Sequence, residues 1–287
     1  MIKAEQEKIF KDKALKRLNM VLNLDNPKTV QEKIIWLIIN DKPEITALKA
    51  KCADKILVHD YCKEKLGEDI CIPILKVYDS PYDVNFKELP NKFVLKTNHG
   101  YAMNIIADKQ TNSYTTLKKL QLTGEKDCQK QLDEWLHINF GEKNGQEHYA
   151  LIKPKCFAEQ FMKDDHETLT DYKVWCCNGE PKMIQVISDR YTKNLHANIY
   201  DTNWNWFDLG WHDFKQDPEH LDKKPVELEK MLDYSRKLSK DFRFVRVDFY
   251  IIKDKLYLGE LTFSPDGGIF RYKDKDTELY WGNQIKL

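Results

Sequence analysis

Apolar positions recur along this chain with two different periods. Over the first 50 residues the period is helical: Ile9 and Phe10, then Leu15, Leu18, Val21 and Leu22, sit among lysines and acids. Thr29 with Glu32 three residues on has the spacing of a capping box, which predicts a second helix through Ile34 to Ile39. Leu22 to Lys28 is then the turn between the two helices. Helical spacing returns from Asp54 to a stop at Gly67, over Leu117 to Leu122, over Gln129 to Ile138 and over Val226 to Leu238. Short apolar runs predict strands at Ile70 to Val77, Phe93 to Lys96, Ile105-Ile106 and Phe157 to Met162. Asp171 to Ile187 reads as a hairpin about Asn178-Gly179, ended by Asp189-Arg190. Residues 141–147 read as a polar loop. Residues 198–217, with Trp204, Trp206 and Trp211, read as a loop, either packed on the surface or covering an apolar or carbohydrate-like substrate. The tail from Tyr272 reads as polar and without a role.

The clearest alternation lies near the C-terminus. Val245, Val247, Phe249 and Ile251 alternate with Arg246, Asp248 and Tyr250; Lys253 to Lys255 breaks the run, and Leu256 to Phe263 resumes it. With a three-residue connection Ile252 faces Leu256, and counting outward sets Asp248 opposite Glu260, with Arg246 and Thr262 one step along the same face. Two facing carboxylates repel each other, so the pair calls for compensation. Mg²⁺ supplies it, since this hard cation takes carboxylate oxygens and completes its shell with water and phosphate. The alternative is that one carboxylate turns to solvent or pairs with Arg246.

Two further stretches carry candidate chemistry. Lys96 ends an apolar strand and is followed by Thr97-Asn98-His99-Gly100, a pattern that suits a phosphate cradle in which backbone N–H groups donate and the lysine supplies charge. His99 is a turn histidine or a phosphate contact. Lys55, at a predicted helix start, is either a surface lysine or a cation aimed at an anion held by neighbouring amides.

Composition narrows the field. A chain of 287 residues accommodates one large domain or two modest ones. Its 46 basic side chains balance 46 acidic ones, which argues against wholesale nucleic-acid binding. The seven cysteines are irregularly spaced with no CxxC pair, the pattern of reduced thiols rather than of a disulfide framework or zinc ribbon. The charged N-terminus lacks the apolar stretch of a signal peptide, and no run is long enough for a membrane span. A soluble, cytoplasmic protein is the expectation.

Taken together and in order, these segments resemble the TupA-like branch of the ATP-grasp superfamily, found with bacterial surface-polysaccharide genes. The resemblance runs from about Cys52 to Gly268 and rests on ADK with its helix and the following Ile-Pro, LPNKFVLKTNHG, FAEQFM, DYKVWCCNGEPKMI and FVRVDFY…LYLGELTFSPDGG. It implies an α+β ATP-grasp fold, two α+β subdomains gripping ATP. A helical N-terminal region at 1–50 would precede an ATP-grasp domain at 51–287, with a lid at about 90–157 and a metal-binding core at about 158–270. Carried over by position, Lys55 and Lys96 (with His99 and Gly100 of the loop) would bind the ATP phosphates. Glu159, Gln160, Phe161 and Met162 would form the hinge that reads adenine, and Asp171 would contact the ribose. Lys173 would reach phosphate or acyl substrate, Asp248, Glu260 and Thr262 would hold Mg²⁺, and Arg246 would steady the acyl phosphate and the oxyanion. Two positions depart from the pattern: Thr262 stands where the superfamily has asparagine, and Tyr101-Ala102-Met103 follow Gly100 where small residues are usual. The implied activity is ATP- and Mg²⁺-dependent joining of a carboxylate, such as a uronic acid of a capsular or surface polysaccharide, to an amine through an acyl phosphate. A sugar or hydroxyl kinase, or a nucleotide-binding protein without turnover, is the alternative.

Overall fold

The computed structural model describes residues 2–163, 169–189, 192–193, 195–211 and 215–287. Arg190 and residues 212–214 of the tryptophan-rich stretch lie outside them. The chain opens with four helices: α1 (Lys3–Leu18), α2 (Val30–Asn40), α3 (Pro43–Ala53) and α4 (Val58–Leu66). The capping box forms as its spacing predicts, with the Glu32 N–H donating to Thr29 Oγ1 and the Thr29 N–H to Glu32 Oε2. Asp54 ends α3 instead of opening the next helix. Its carboxylate accepts from the N–H groups of Ile56 and Leu57, and this turn delays α4 until Val58. Gly67, at φ 77°, ends α4 as expected.

An antiparallel sheet of six strands follows: β1 (Ile74–Tyr78), β2 (Lys92–Thr97), β3 (Asn104–Asp108), β4 (Ser113–Thr116), β5 (Gln121–Leu122) and β6 (Cys156–Gln160), in the spatial order β1-β6-β2-β3-β4-β5. β1 starts later than the apolar run from Ile70 because Pro73 offers no N–H to the ladder. The helix expected over Leu117 to Leu122 is absent. Lys119 takes φ 63°, the Leu120 N–H donates to Thr116 Oγ1, and the β-branched Thr115 and Thr116 pair in a hairpin instead. α5 (Glu125–Leu136) covers one face of the sheet, burying Phe93, Leu95, Ile105, Ala107 and Ala158. Two short helices, α6 (Phe140–Asn144) and α7 (Glu147–Ala150), occupy most of the stretch expected to be a polar loop.

The second sheet has five antiparallel strands, β7 (Asp171–Cys177), β8 (Glu180–Ser188), β9 (His196–Tyr200), β10 (Phe244–Ile252) and β11 (Lys255–Thr262), in the order β11-β10-β7-β8-β9. α8 (Leu228–Ser239) and α4 pack on one face over Val174, Cys176, Ile184, Val186, Val245, Val247 and Phe249. The other face is divided along its length. Its apolar end, with Trp175, Met183 and Phe244, lies under α1, α2 and the C-terminal segment. Its polar end carries Asp171, Lys173, Gln185, Arg246, Asp248, Glu260 and Thr262.

In the C-terminal half the tryptophan-rich stretch takes the packed alternative, and the expectation of a tail without a role is overturned. Residues 198–200 are the end of β9, and two of the tryptophans that follow are packing elements: Trp204 stacks on Tyr200 at 4.4 Å, and Trp211 is buried against Trp175 and Phe270. The tail from Tyr272 is structural, with Tyr272, Trp281 and Ile285 in the core and α9 (Lys275–Asn283) packed on α2. All seven cysteines are buried free thiols, and no described helix is long and apolar enough to cross a membrane.

Candidate active site

The polar end of the five-stranded sheet is built from register. Asp248 lies opposite Glu260 on one side and Lys173 on the other, and Arg246 lies opposite Thr262. The connection between β10 and β11 has two residues, not three, and Ile252 pairs with Lys255. Lys253 and Asp254, at φ 50° and 57°, make a tight turn with both central residues left-handed. A bulge between Asp248 and Phe249 then shifts the pairing by one, with Gly259 as the extra residue, and restores Asp248 opposite Glu260.

The two facing acids are in different states. Asp248 is buried, with its carboxylate held on three sides: Oδ1 accepts from Arg246 Nε at 2.7 Å, and Oδ2 accepts from Arg246 Nη2 at 2.7 Å and Lys173 Nζ at 2.5 Å. Burial raises its pKa, but the two cations outweigh that and hold it below the ordinary aspartate value. Lys173 also reaches Asp171 at 3.5 Å, and Arg246 donates to Thr262 Oγ1 at 3.3 Å. The Glu260 side chain is half-buried and makes no hydrogen bond or ion pair among the described residues.

The opposing wall comes from the six-stranded sheet. Lys96 and Glu159, neighbours on β2 and β6, form an ion pair on the face that also shows Val94 and Ile106. Lys55, in the turn between α3 and α4, donates from Nζ to the Gly100 carbonyl at 2.9 Å and from its own N–H to the Asn98 carbonyl. Burial lowers its pKa; Glu260 is the largest opposing charge, and Lys96 adds to the lowering. Lys55, Lys96, Glu159 and Glu260 are therefore electrostatic neighbours, although they come from the N-terminal turn and both sheets.

The loop after β2 is tied to its surroundings by Asn98. Its Nδ2 donates to Asp54 Oδ2 at 2.8 Å and to the Lys153 carbonyl at 3.0 Å, and its Oδ1 accepts from the Lys155 N–H at 2.8 Å. Gly100 adopts φ 76°, and an added Cβ would meet Met103 Sδ at 3.0 Å. His99 is buried with Nε2 at 3.1 Å from the Ile138 carbonyl, and burial lowers its pKa. Its Nδ1 is buried without a hydrogen-bond partner among the described residues. In the stretch expected to be the hinge, the Gln160 N–H donates to the Pro73 carbonyl, while Phe161 and Met162 lie past the end of β6.

Three residues of this region carried no signal in the sequence. Asp54 reads as a helix start, yet it anchors Asn98. Tyr149, in a stretch without strong periodicity, is buried, and burial with Glu260 nearby raises its pKa. Gln185, opposite Lys173 on β8, is buried with no hydrogen-bond partner for its Nε2. Its alternation on β8 puts it on the Lys173 face, but only the closed sheet shows the amide to be unsatisfied.

For Mg²⁺ the donor set fits. Asp248, Glu260 and Thr262 are hard oxygen donors on adjoining positions of one face, and Glu260 is uncommitted. The oxygens of Asp248 retain lone-pair capacity beyond the bonds described, since an ionised carboxylate offers about four acceptor sites.

A sheet carrying facing acids, set against a second sheet carrying a paired lysine and glutamate, defines an ATP-grasp protein. More narrowly, the chain belongs to the TupA-like ATP-grasp family, whose sequence profile matches residues 32–286. Among curated proteins no relative matches. Among solved structures it is similar to an L-amino acid ligase from Bacillus licheniformis, at 11% identity and TM-score 0.50, covering 93% of this chain and 56% of that protein. It is also similar to a D-alanine–D-alanine ligase from Helicobacter pylori, at 17% identity and TM-score 0.42, covering 82% of this chain and 58% of that one. A D-alanine–D-alanine ligase from Bacillus anthracis solved with ATP matches at 16% identity and TM-score 0.42, over 75% of this chain and 55% of that one. The chain thus spans a little over half the length of these ligases, and the likeness is one of fold.

Proposed function

We propose that the protein is an ATP-dependent ligase that joins a carboxylate to an amine. The observation that carries this reading is the polar row Lys173–Asp248–Glu260, beside Arg246, with one acid held by two cations and the other uncommitted. Lys55 and Lys96 bind the phosphates of ATP from the turn and lid sides. Val94 and Ile106 give the lid face an apolar surface for the adenine ring, and Phe161 and Met162, past the end of β6, present backbone groups to its edge. Asp171 is the ribose contact. Asp248, Glu260 and Thr262 would hold Mg²⁺, which when bound would offset the charge of the ATP phosphates.

A carboxylate is a poor electrophile because its oxygen is a poor leaving group. Attack of a carboxylate oxygen on the γ-phosphorus forms an acyl phosphate and releases ADP. The amine nitrogen then attacks the acyl carbon, phosphate leaves, and the amine proton passes to solvent. Arg246 and Lys173 supply charge to the acyl phosphate and the transient oxyanion; losing one such donor typically slows turnover about 10²–10³-fold. Closure of the six-stranded sheet over the cleft excludes the water that would hydrolyse the intermediate. The acid we propose is a uronate of a sugar nucleotide or glycan in surface-polysaccharide synthesis, and the amine an amino acid or small amine.

The test is phosphate release with Mg²⁺, ATP, a uronate and an amine. Both Asp248→Asn and Glu260→Gln should abolish it, and wild-type turnover in both variants would remove the metal assignment. Product analysis decides the reaction class: an amide supports the ligase, whereas a stable phosphoester makes the protein a kinase.

A further inference from the structure

Behind the nucleotide cleft, the sequence from α4 to the approach of β1 gathers a second set of ligating side chains. His59 and Cys62 lie one turn apart on α4, three residues being the spacing that puts two side chains on one helix face. The reversal at Gly67 returns Asp69 and Cys71 beside them. Ligand atoms of His59, Asp69 and Cys71 lie within 4.8 Å of one another, and among the described residues this is the one such group of three or more. His59 Nδ1 is 2.9 Å from Asp69 Oδ2, and Cys62 Sγ is 3.6 Å from Cys71 Sγ. Two thiolates on one tetrahedral zinc, each at about 2.3 Å, stand about 3.8 Å apart. Asp69 Oδ1 accepts from the Cys71 N–H at 3.0 Å, which fixes the loop, and Lys63 Nζ lies 3.6 Å from Asp69 Oδ2. Cys62 and Cys71 are buried, His59 is half-buried and Asp69 is exposed, so the thiols are shielded while one edge stays open to an entering ion.

We propose that His59, Cys62, Asp69 and Cys71 form a structural zinc site. Binding displaces the two thiol protons to solvent and uses neutral imidazole, so two thiolates, one carboxylate and Zn²⁺ leave a net charge of −1, which Lys63 is placed to offset. The site acts as a clasp. Ile70 already accepts from the Leu258 N–H of β11 at 2.8 Å, and Leu258 lies two residues before Glu260. α4 begins three residues after Lys55. Zinc would therefore lock the segment bearing the phosphate lysine to the strand bearing the uncommitted acid.

The experiment uses the full chain without a polyhistidine tag, desalted and assayed for zinc by mass spectrometry. One zinc per chain is expected in wild type and in Glu260→Gln, falling to near zero in His59→Ala and Cys71→Ser. Because Cys71→Ser can fail to fold, wild-type protein stripped with chelator is also titrated with Co²⁺. Thiolate-to-cobalt absorption in the near ultraviolet with tetrahedral visible bands supports the site, and that absorption should weaken in Cys62→Ser. Wild type without stoichiometric zinc and without thiolate bands, zinc retained in Cys71→Ser, or a Cys62–Cys71 disulfide in freshly lysed protein would each overturn it.

Discussion

Asp248 and Glu260 face each other across one strand pair, and their neighbours give them separate duties. Asp248 neutralises two cations that the fold has already buried, so replacing it strands both. Asp248→Asn is expected to destabilise the protein by about 3–5 kcal/mol, the usual result of breaking a buried ion pair from one side. Glu260 has no such bond to lose. Glu260→Gln should keep its melting temperature within a degree or two of wild type while Mg²⁺-dependent ATP binding, followed by calorimetry, disappears. Equal loss of stability in both variants would mean that the two acids are structural equivalents. Lys55 belongs with Glu260: its ammonium contacts a backbone carbonyl and not a carboxylate. Lys55→Met should therefore spare the fold and weaken ATP binding about 10–100-fold, the value of one charge-assisted hydrogen bond.

Single elements show where local pattern suffices. The capping box at α2 was legible from Thr29 and Glu32 alone because its hydrogen bonds close within four residues. Burial raises the Glu32 pKa, but the N–H groups of Thr29, Lys28 and Asn23 outweigh it and leave the folded value below the unfolded one. The stabilisation is thus fully present above about pH 4.3, the unfolded glutamate value, and is lost as pH falls through the lower folded value. Urea unfolding should show wild type more stable than Glu32→Gln by about 1 kcal/mol at pH 6, with the gap closing toward pH 3. α9 shows the opposite limit. Its sequence has weak periodicity, and its place depends on Gly282, where an added Cβ would lie 2.0 Å from the Lys28 carbonyl oxygen. Gly282→Ala should destabilise by about 1–3 kcal/mol, the range for forced overpacking, read as a drop in thermal midpoint.

At the level of the molecule, three separate contributors become electrostatic neighbours: the Lys55 turn, the six-stranded sheet with Lys96 and Glu159, and the five-stranded sheet with Glu260. Ligand binding should draw these together without disturbing the distant packing of α2 on α9. Hydrogen exchange is expected to slow at residues 97–103 and 159–162 when Mg²⁺ and ATP are added, with α2 and α9 unchanged; uniform protection across the chain would point to global stabilisation instead. Closure of this kind orders a few loop residues around a preformed frame.

Periodicity and short-range chemistry were enough to place most helices and strands, the Asn178-Gly179 turn and the pairing of Asp248 with Glu260. That pairing was reached by a count that took one residue too many in the turn, which a bulge at Gly259 then absorbed. A bulge does not show in alternation, because it depends on how the bulged strand bends against its partner. Motifs in order pointed to the family, yet they left open whether an acid of the pair would turn to solvent or pair with Arg246, and they gave no sign of Lys173 as a partner of Asp248, since it comes from a strand 75 residues away. The same holds for the tryptophans and the C-terminal tail. Trp211 and the tail are buried by partners distant in sequence, Trp175, Phe270 and α2, which no local pattern names. Residues that act through neighbours in sequence were readable from sequence; charge balance and burial, which sum over the whole fold, were settled only once the sheets closed.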